Sequence, residues 1–267
     1  MDDLAVSAGN LFHSLPLSFV YICTVLLVLA ALLLGALLGR VHRRRHRNEK
    51  ESSIGTAVTA TLGLLAFLLA FTFNMTADRY QQRKALLLDE VNAIYTAYLR
   101  ADFLEPQAAE RARELLEEYV DIRDFNPARE PVTPKNLARS EEIHRLLWQL
   151  VSEHARRQYN PGYLRQFAEP LNTVISFHYS RVVVGLEYRI PGPIWLGLYF
   201  ITLLAMVVIG YQFGIHRGRS LQVAVALALT FATVIVLIAD LDRATEGVLL
   251  VDQRPMSELN RHLRELR

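Results

Sequence analysis

Four uninterrupted apolar runs, at residues 15–38, 54–73, 194–213 and 221–238, leave this chain little choice of environment. Each is near the ~20 residues that an α-helix needs to cross a hydrocarbon core of ~30 Å. In that solvent every backbone polar group must be satisfied inside the segment, so the runs read as four transmembrane helices. A composition of 52% hydrophobic and 21% charged residues, segregated into such runs, does not suit a soluble chain. A signal peptide is the competing reading of the first run. Signal peptides place basic residues ahead of a short apolar core, whereas Asp2 and Asp3 precede this run and the basic cluster follows it.

The runs differ in kind. The first is rich in Leu, Val and Ala and reads as the more lipid-facing helix. The second carries Gly55, Thr56, Thr59, Thr61, Gly63 and Thr72 among its Leu, Ala and Phe. Small and hydroxylated side chains let helices approach closely in lipid, so the second run is expected to lie among other helices. The third begins after Pro191, Gly192 and Pro193, a sequence suited to a helix start. Trp195, Tyr199 and Tyr211 sit near its ends, where amphipathic rings favour the lipid–water boundary.

Charge gives a sidedness. The link between the first two runs holds Arg40, Arg43, Arg44, Arg45, Arg47 and Lys50, and the link between the last two holds Arg217 and Arg219. Short loops rich in Lys and Arg stay in the cytoplasm. Both termini and the long central segment are then expected outside, in a bacterial periplasm, with the spans in the inner membrane.

The expected organisation is a first hairpin over 1–75, a helical soluble domain over 76–189, a second hairpin over 190–241 and a polar tail over 242–267. Within the soluble segment Ala85, Leu88, Val91, Ile94, Tyr95 and Tyr98 recur at helical steps and predict one buried face. No Gly or Pro interrupts 72–104, so the second span is expected to run on into this helix. Pro106 opens a second helix to about residue 124, with Leu115, Leu116, Tyr119 and Ile122 on one side. Pro127, Pro131 and Pro134 break the pattern, a third helix covers about 135–158, and Asn160-Pro161-Gly162 is a turn before a fourth. No stretch alternates with period two, so the fold class is all-α.

Enzyme signatures are missing: there is no phosphate loop, His-Glu-x-x-His, paired Cys or serine elbow. A net charge of +2 suggests no nucleic-acid partner, the lone Cys23 inside the first run leaves no disulfide framework, and no cofactor or metal is expected. His42 and His46 share a helical face, but the arginines around them repel cations. Glu117 and Glu118 are adjacent and point apart on a helix, which suits solvated surface.

The most specific stretch is GLLAFLLAFTFNMTADRYQQRKALLLDEVNAIYTAYLR, residues 63–100, where an apolar helix turns polar at Asn74 with Asp78, Arg79 and Tyr80 just beyond. It resembles the second span of bestrophins, in which a Gly-Phe pair is followed some eight residues later by Arg-Tyr or Arg-Trp; Ala70 stands here where that Gly is usual, ahead of Phe71 and Arg79. The chain more closely resembles the bestrophin-like family of bacterial membrane proteins. The shared segments are Asp89-Glu90-Val91-Asn92-Ala93-Ile94 and, after the last span, Asp240-Leu241-Asp242-Arg243-Ala244-Thr245-Glu246-Gly247, with Ala244 where Pro is usual. The order of elements matches as well.

Bestrophins are pentameric ion channels, so the resemblance implies a homo-oligomer, a pentamer, conducting ions through the lipid bilayer. Its pore would be lined by the second span, with a neck of Gly63, Phe67 and Phe71 and polar Asn74 beyond. Positions i, i+4 and i+8 do share a helical face, and rings of Phe form a constriction that gates by dewetting. In bestrophins an acidic stretch after the last span contributes to a calcium site. Here Asp240, Asp242 and Glu246 supply oxygens, while Arg243 among them and Arg79 upstream favour ion pairs that anchor the helix end. The charge rule places the soluble domain outside, opposite to the bestrophin arrangement. The alternative function is a non-conducting scaffold or sensor, consistent with spans that hold no charge, since transport sites usually carry an ionisable group.

Overall fold

The computed structural model describes residues 15–45, 54–125, 133–215, 221–244 and 247–266. Among them there is no strand. Eight α-helices follow in order: α1 (Leu17–Arg45), α2 (Ile54–Arg100), α3 (Pro106–Arg123), α4 (Pro134–Arg156), α5 (Pro161–Val182), α6 (Gly192–Ile215), α7 (Leu221–Asp242) and α8 (Arg254–Glu265). A short 3-10 turn (Ala101–Phe103) follows α2 and a π turn (Val183–Glu187) follows α5. Four helices, α1, α2, α6 and α7, are long and apolar enough to cross a membrane. The chain divides into two compact units, one of residues 1–78 and 189–243 and the other of residues 79–188 and 244–267. The unbroken α2 contributes to both.

In the first unit α1 and α6 make the tightest pairing. Gly35-x-x-x-Gly39 on α1 faces Gly210-x-x-x-Gly214 on α6, and a Cβ built at Gly35 would lie 2.0 Å from the Val207 carbonyl oxygen. At Gly210 it would lie 2.1 Å from the Leu32 oxygen, so the two backbones touch where any side chain would hold them apart. Around this crossing Val28, Leu32, Leu65, Leu198, Met206 and Ile235 form the apolar core. Thr24 spends its hydroxyl locally on the Val20 carbonyl (2.7 Å) and also meets the Tyr199 hydroxyl at 2.8 Å. Within one chain the close glycine packing belongs to α1 and α6, while Gly55 and Gly63 of α2 face open space, and α1 keeps a broad apolar outer face that includes Ile22, Leu26, Leu33 and Leu37. Small residues mark an interface only where a second backbone is present to use them.

The second unit is a bundle of the latter part of α2 with α3, α4, α5 and α8. Ile94, Leu115, Leu116, Ile143, Leu147, Phe167 and Leu171 fill its core. Local chemistry starts the helices: Thr133 accepts from the Asn136 amide (3.2 Å) ahead of Pro134, and Asn160 accepts from the Gly162 amide (3.0 Å) ahead of Pro161. In this unit α2 buries Leu87, Glu90, Ala93, Ile94, Ala97 and Tyr98; of the expected stripe Ile94 and Tyr98 are buried and Val91 and Tyr95 pack partly buried against the core, while Ala85 and Leu88 are exposed. A carboxylate, Glu90, lies within this buried face, where counting apolar residues alone does not place one. Most of the expected polar tail is also ordered structure. Helix α8 buries Met256, Leu259 and Leu263 in the core of this unit. It is tied down where Ser257 and Asn260 donate to Asp124, the latter at 2.9 Å.

Candidate pore face and polar anchors

Within the membrane-spanning unit, α2 has two unlike sides. Val58, Leu65, Leu69, Thr72 and Thr76 are buried. Gly63, Phe67, Phe71 and Asn74 lie together on the other side, with Phe67 68% and Phe71 57% exposed. Side chains four residues apart stack on one helical face, and an extra Cβ at Gly63 would meet nothing within 4 Å. The hydroxyls on this helix are satisfied inside it: Thr72 donates to the Leu68 carbonyl (2.7 Å) and Thr76 to that of Phe73 (2.9 Å). The outward face of residues 63–73 therefore offers neither a charge nor a free donor, and polarity begins at Asn74.

The acidic segment after the last span is buried. Asp240, Asp242 and Arg243 are each less than a tenth exposed. Both carboxylate oxygens of Asp242 accept from the Ile190 amide, at 3.0 and 3.1 Å, which occupies a donor just ahead of the Pro191-Gly192 start of α6. Arg243 donates to the Leu15 carbonyl at 2.6 Å, just before α1. The end of α7 thus holds the entry points of two other helices. Glu246 lies outside the described residues, and so does His46. Arg79 is half-buried and belongs to the other unit. Among the described residues no three His, Cys, Asp or Glu side chains group closely enough to hold a metal ion.

The second unit contains a polar centre that sequence reading missed. Glu90 of α2 is fully buried. One of its oxygens accepts from the Tyr119 hydroxyl (2.5 Å); the other accepts from Arg181, and from Arg123 at 3.5 Å. Arg181 also donates to the Gln253 side chain at 3.2 Å. Burial alone would raise the pKa of Glu90, but Arg181, Arg123 and the hydrogen bonds from Tyr119 and Arg181 outweigh it and hold the carboxyl down at about 2. The Tyr119 oxygen lies 3.0 Å from His178 Nδ1. With the Tyr119 proton committed to Glu90, that nitrogen is the donor and carries the proton of a neutral imidazole. His144 completes the group, its ring centroid 4.8 Å from that of Tyr119 and 4.8 Å from that of His178. Glu90 belongs to the Asp89–Ile94 segment noted above, but its partners lie 33 and 91 positions away, with no local signal to link them.

Comparison with known proteins gives a consistent placement. A family model described as a bestrophin-like domain matches residues 25–256. No curated protein matches the chain. Among solved structures, a tryptophan-to-alanine variant of a bacterial bestrophin homologue from Klebsiella pneumoniae is similar with a TM-score of 0.64 at 13% identity, over 92% of this chain and 97% of that one. An aspartate-to-alanine variant of a bacterial bestrophin homologue from the same organism gives 0.66 at 12% identity, over 93% and 97%. A structure described only as a membrane protein variant gives 0.64 at 14%, over 94% and 98%. At these identities the structural likeness concerns the fold.

Proposed function

Because the chain belongs to the bestrophin-like family, we propose that it is a homo-oligomeric ion channel of the inner membrane, a pentamer whose pore is lined by α2. The observation that carries this reading is the uncovered apolar face of α2, from Gly63 through Phe67 and Phe71 to Asn74. Copies arranged around an axis would bring these side chains together as rings. Water loses hydrogen bonds in a narrow apolar tube and gets none back, so a neck of this composition conducts only when it widens or wets. Asn74 would offer the first polar contact to an ion leaving the neck. Asp240, Asp242 and Arg243 serve as structural anchors in this reading.

The absence of any Asp, Glu, Lys or Arg between residues 54 and 77 also suits a non-conducting scaffold. The two readings separate on flux. The parent and a Phe67→Ala/Phe71→Ala variant are purified, their masses in detergent are measured, and both are reconstituted in liposomes. The channel reading expects an oligomer and greater ion flux in the variant, because the wider tube wets. Each lost Phe contact can also cost ~3–5 kcal/mol where it is packed, so assembly is checked on the same samples. Two assembled proteins that both pass no more ions than empty liposomes would return the scaffold. We further propose that the basic links are cytoplasmic and the soluble unit periplasmic. A reporter active only in the periplasm, fused to the C-terminus, is expected to be active; activity of a cytoplasmic reporter alone would reverse the orientation.

A further inference from the structure

The polar centre of the soluble unit has more positive than negative charge before any histidine is considered. Among the described residues Glu90 from α2 is the carboxylate of this network, and it faces two guanidiniums, Arg123 from α3 and Arg181 from α5. Tyr119 from α3 and Gln253 from the tail are the neutral members that close the network. Against this set lie His144 from α4 and His178 from α5, both less than a tenth exposed, with their rings edge to face at 82°. His144 Nε2 has no hydrogen-bond partner among the described residues, and neither does Arg123 Nε.

We infer that the His144–His178 pair is an acid-responsive element, which loosens the helical soluble unit when it takes up protons. A proton on either ring adds positive charge near Arg123, and for His178 near Arg181 as well, and a second proton would then meet the first across the ring contact. The Glu90 carboxylate offsets it only in part, because its single negative charge is already shared between Arg123 and Arg181. Protonated His144 would also bury an N–H at Nε2 with no acceptor, a costly state in an apolar core. The rings belong to two helices, α4 and α5, and contact a third, α3, through Tyr119. Repulsion at this point therefore pushes on three helices at once.

Burial, aided by Arg123, moves both imidazoles down to about 4, against a partial upward pull from Glu90. An unfolded histidine titrates near 6.5. Between those values the unfolded chain binds more protons than the folded one, so stability falls as pH drops from about 6.5 to about 4. The loss occurs above the range in which the Glu90 carboxyl begins to protonate in the folded protein.

The test uses the full chain in detergent. The unfolding midpoint is measured at pH 7.5 and pH 4.5 for the parent and for a His144→Phe/His178→Asn variant. Phe preserves the ring packing, and the Asn amide can still donate to Tyr119. The parent is expected to drop by roughly 5–10 °C, and the variant by less than half as much. An equal drop in both proteins overturns the inference. Should the variant fail to fold at pH 7.5, the histidine resonances of the parent decide. Two of its eight histidines staying neutral at pH 5 supports the element; all of them titrating near 6.5 removes it.

Discussion

Replacing Glu90 with glutamine should destabilise the soluble unit by about 3–5 kcal/mol, the range found when one partner of a buried charge pair is removed. The structure explains why so mild a change should cost so much. Glutamine fits the same space, but one carboxylate oxygen becomes an amide that brings two donors. The pocket already supplies donors from Tyr119, Arg123 and Arg181. Donor then meets donor, and two guanidiniums remain buried without a counter-charge. At roughly 2–4 °C per kcal/mol for a domain of this size, the midpoint should fall by about 6–20 °C. The natural control is Glu118→Gln. Glu118 also pairs with an arginine, Arg139, at 2.6 and 2.8 Å, but the side chains are 41% and 35% exposed. Solvent-accessible pairs of that kind are worth about 0–1 kcal/mol. Unfolding followed by circular dichroism, with size exclusion on the same samples, gives the comparison. If the two substitutions lower the midpoint equally, the buried network contributes no more than a surface pair and the reasoning fails. A pH series adds a second check: a carboxyl held at about 2 against an ordinary 4.5 stabilises the fold above pH 4.5, and that contribution fades as pH falls toward 2.

Two further outcomes follow from the membrane unit. Gly210→Leu places a side chain where even a Cβ would be 2.1 Å from the Leu32 carbonyl oxygen, so α1 and α6 should separate and folded yield in detergent should collapse. Gly197→Ala, with nothing within 4 Å, should leave yield unchanged; equal behaviour of the two would disprove the close crossing. Asp242→Ala strands the buried Ile190 amide and should cost about 1–3 kcal/mol in thermal stability. A midpoint matching the parent would mean that the carboxylate does not hold the start of α6.

How much could be read from the sequence follows from the range of each interaction. The four spans were visible because transfer into lipid sums residue by residue along one segment. Pro106, Pro134 and Asn160-Pro161 marked helix starts because capping is local. Helix α8 was missed although Met256, Leu259 and Leu263 carry a helical spacing, since the charged residues between them read as a solvated tail. The paired glycines of α1 and α6 were in plain view, but each half is informative only beside the other. The polar centre was the least legible, because its members come from four helices and the tail. A lone carboxylate on an otherwise apolar face reads as a boundary of the core until its cations are found. For the candidate pore face, the one-turn spacing of Phe67 and Phe71 matches a shared, uncovered side of α2.

The α1–α6 crossing also bears on how the protein is made. About 150 residues separate the end of α1 from the start of α6. At roughly 5–20 residues per second of synthesis, α1 waits on the order of 10 s in the membrane before its partner emerges. During that interval the Gly35 and Gly39 groove has nothing of its own chain to fill it. Nascent chains are thus most open to mispairing in that interval, whether with insertion machinery or with the first helix of a neighbouring copy. A substitution that fills the groove would then act first on biogenesis, lowering the amount of protein made before any property of the finished molecule is measured.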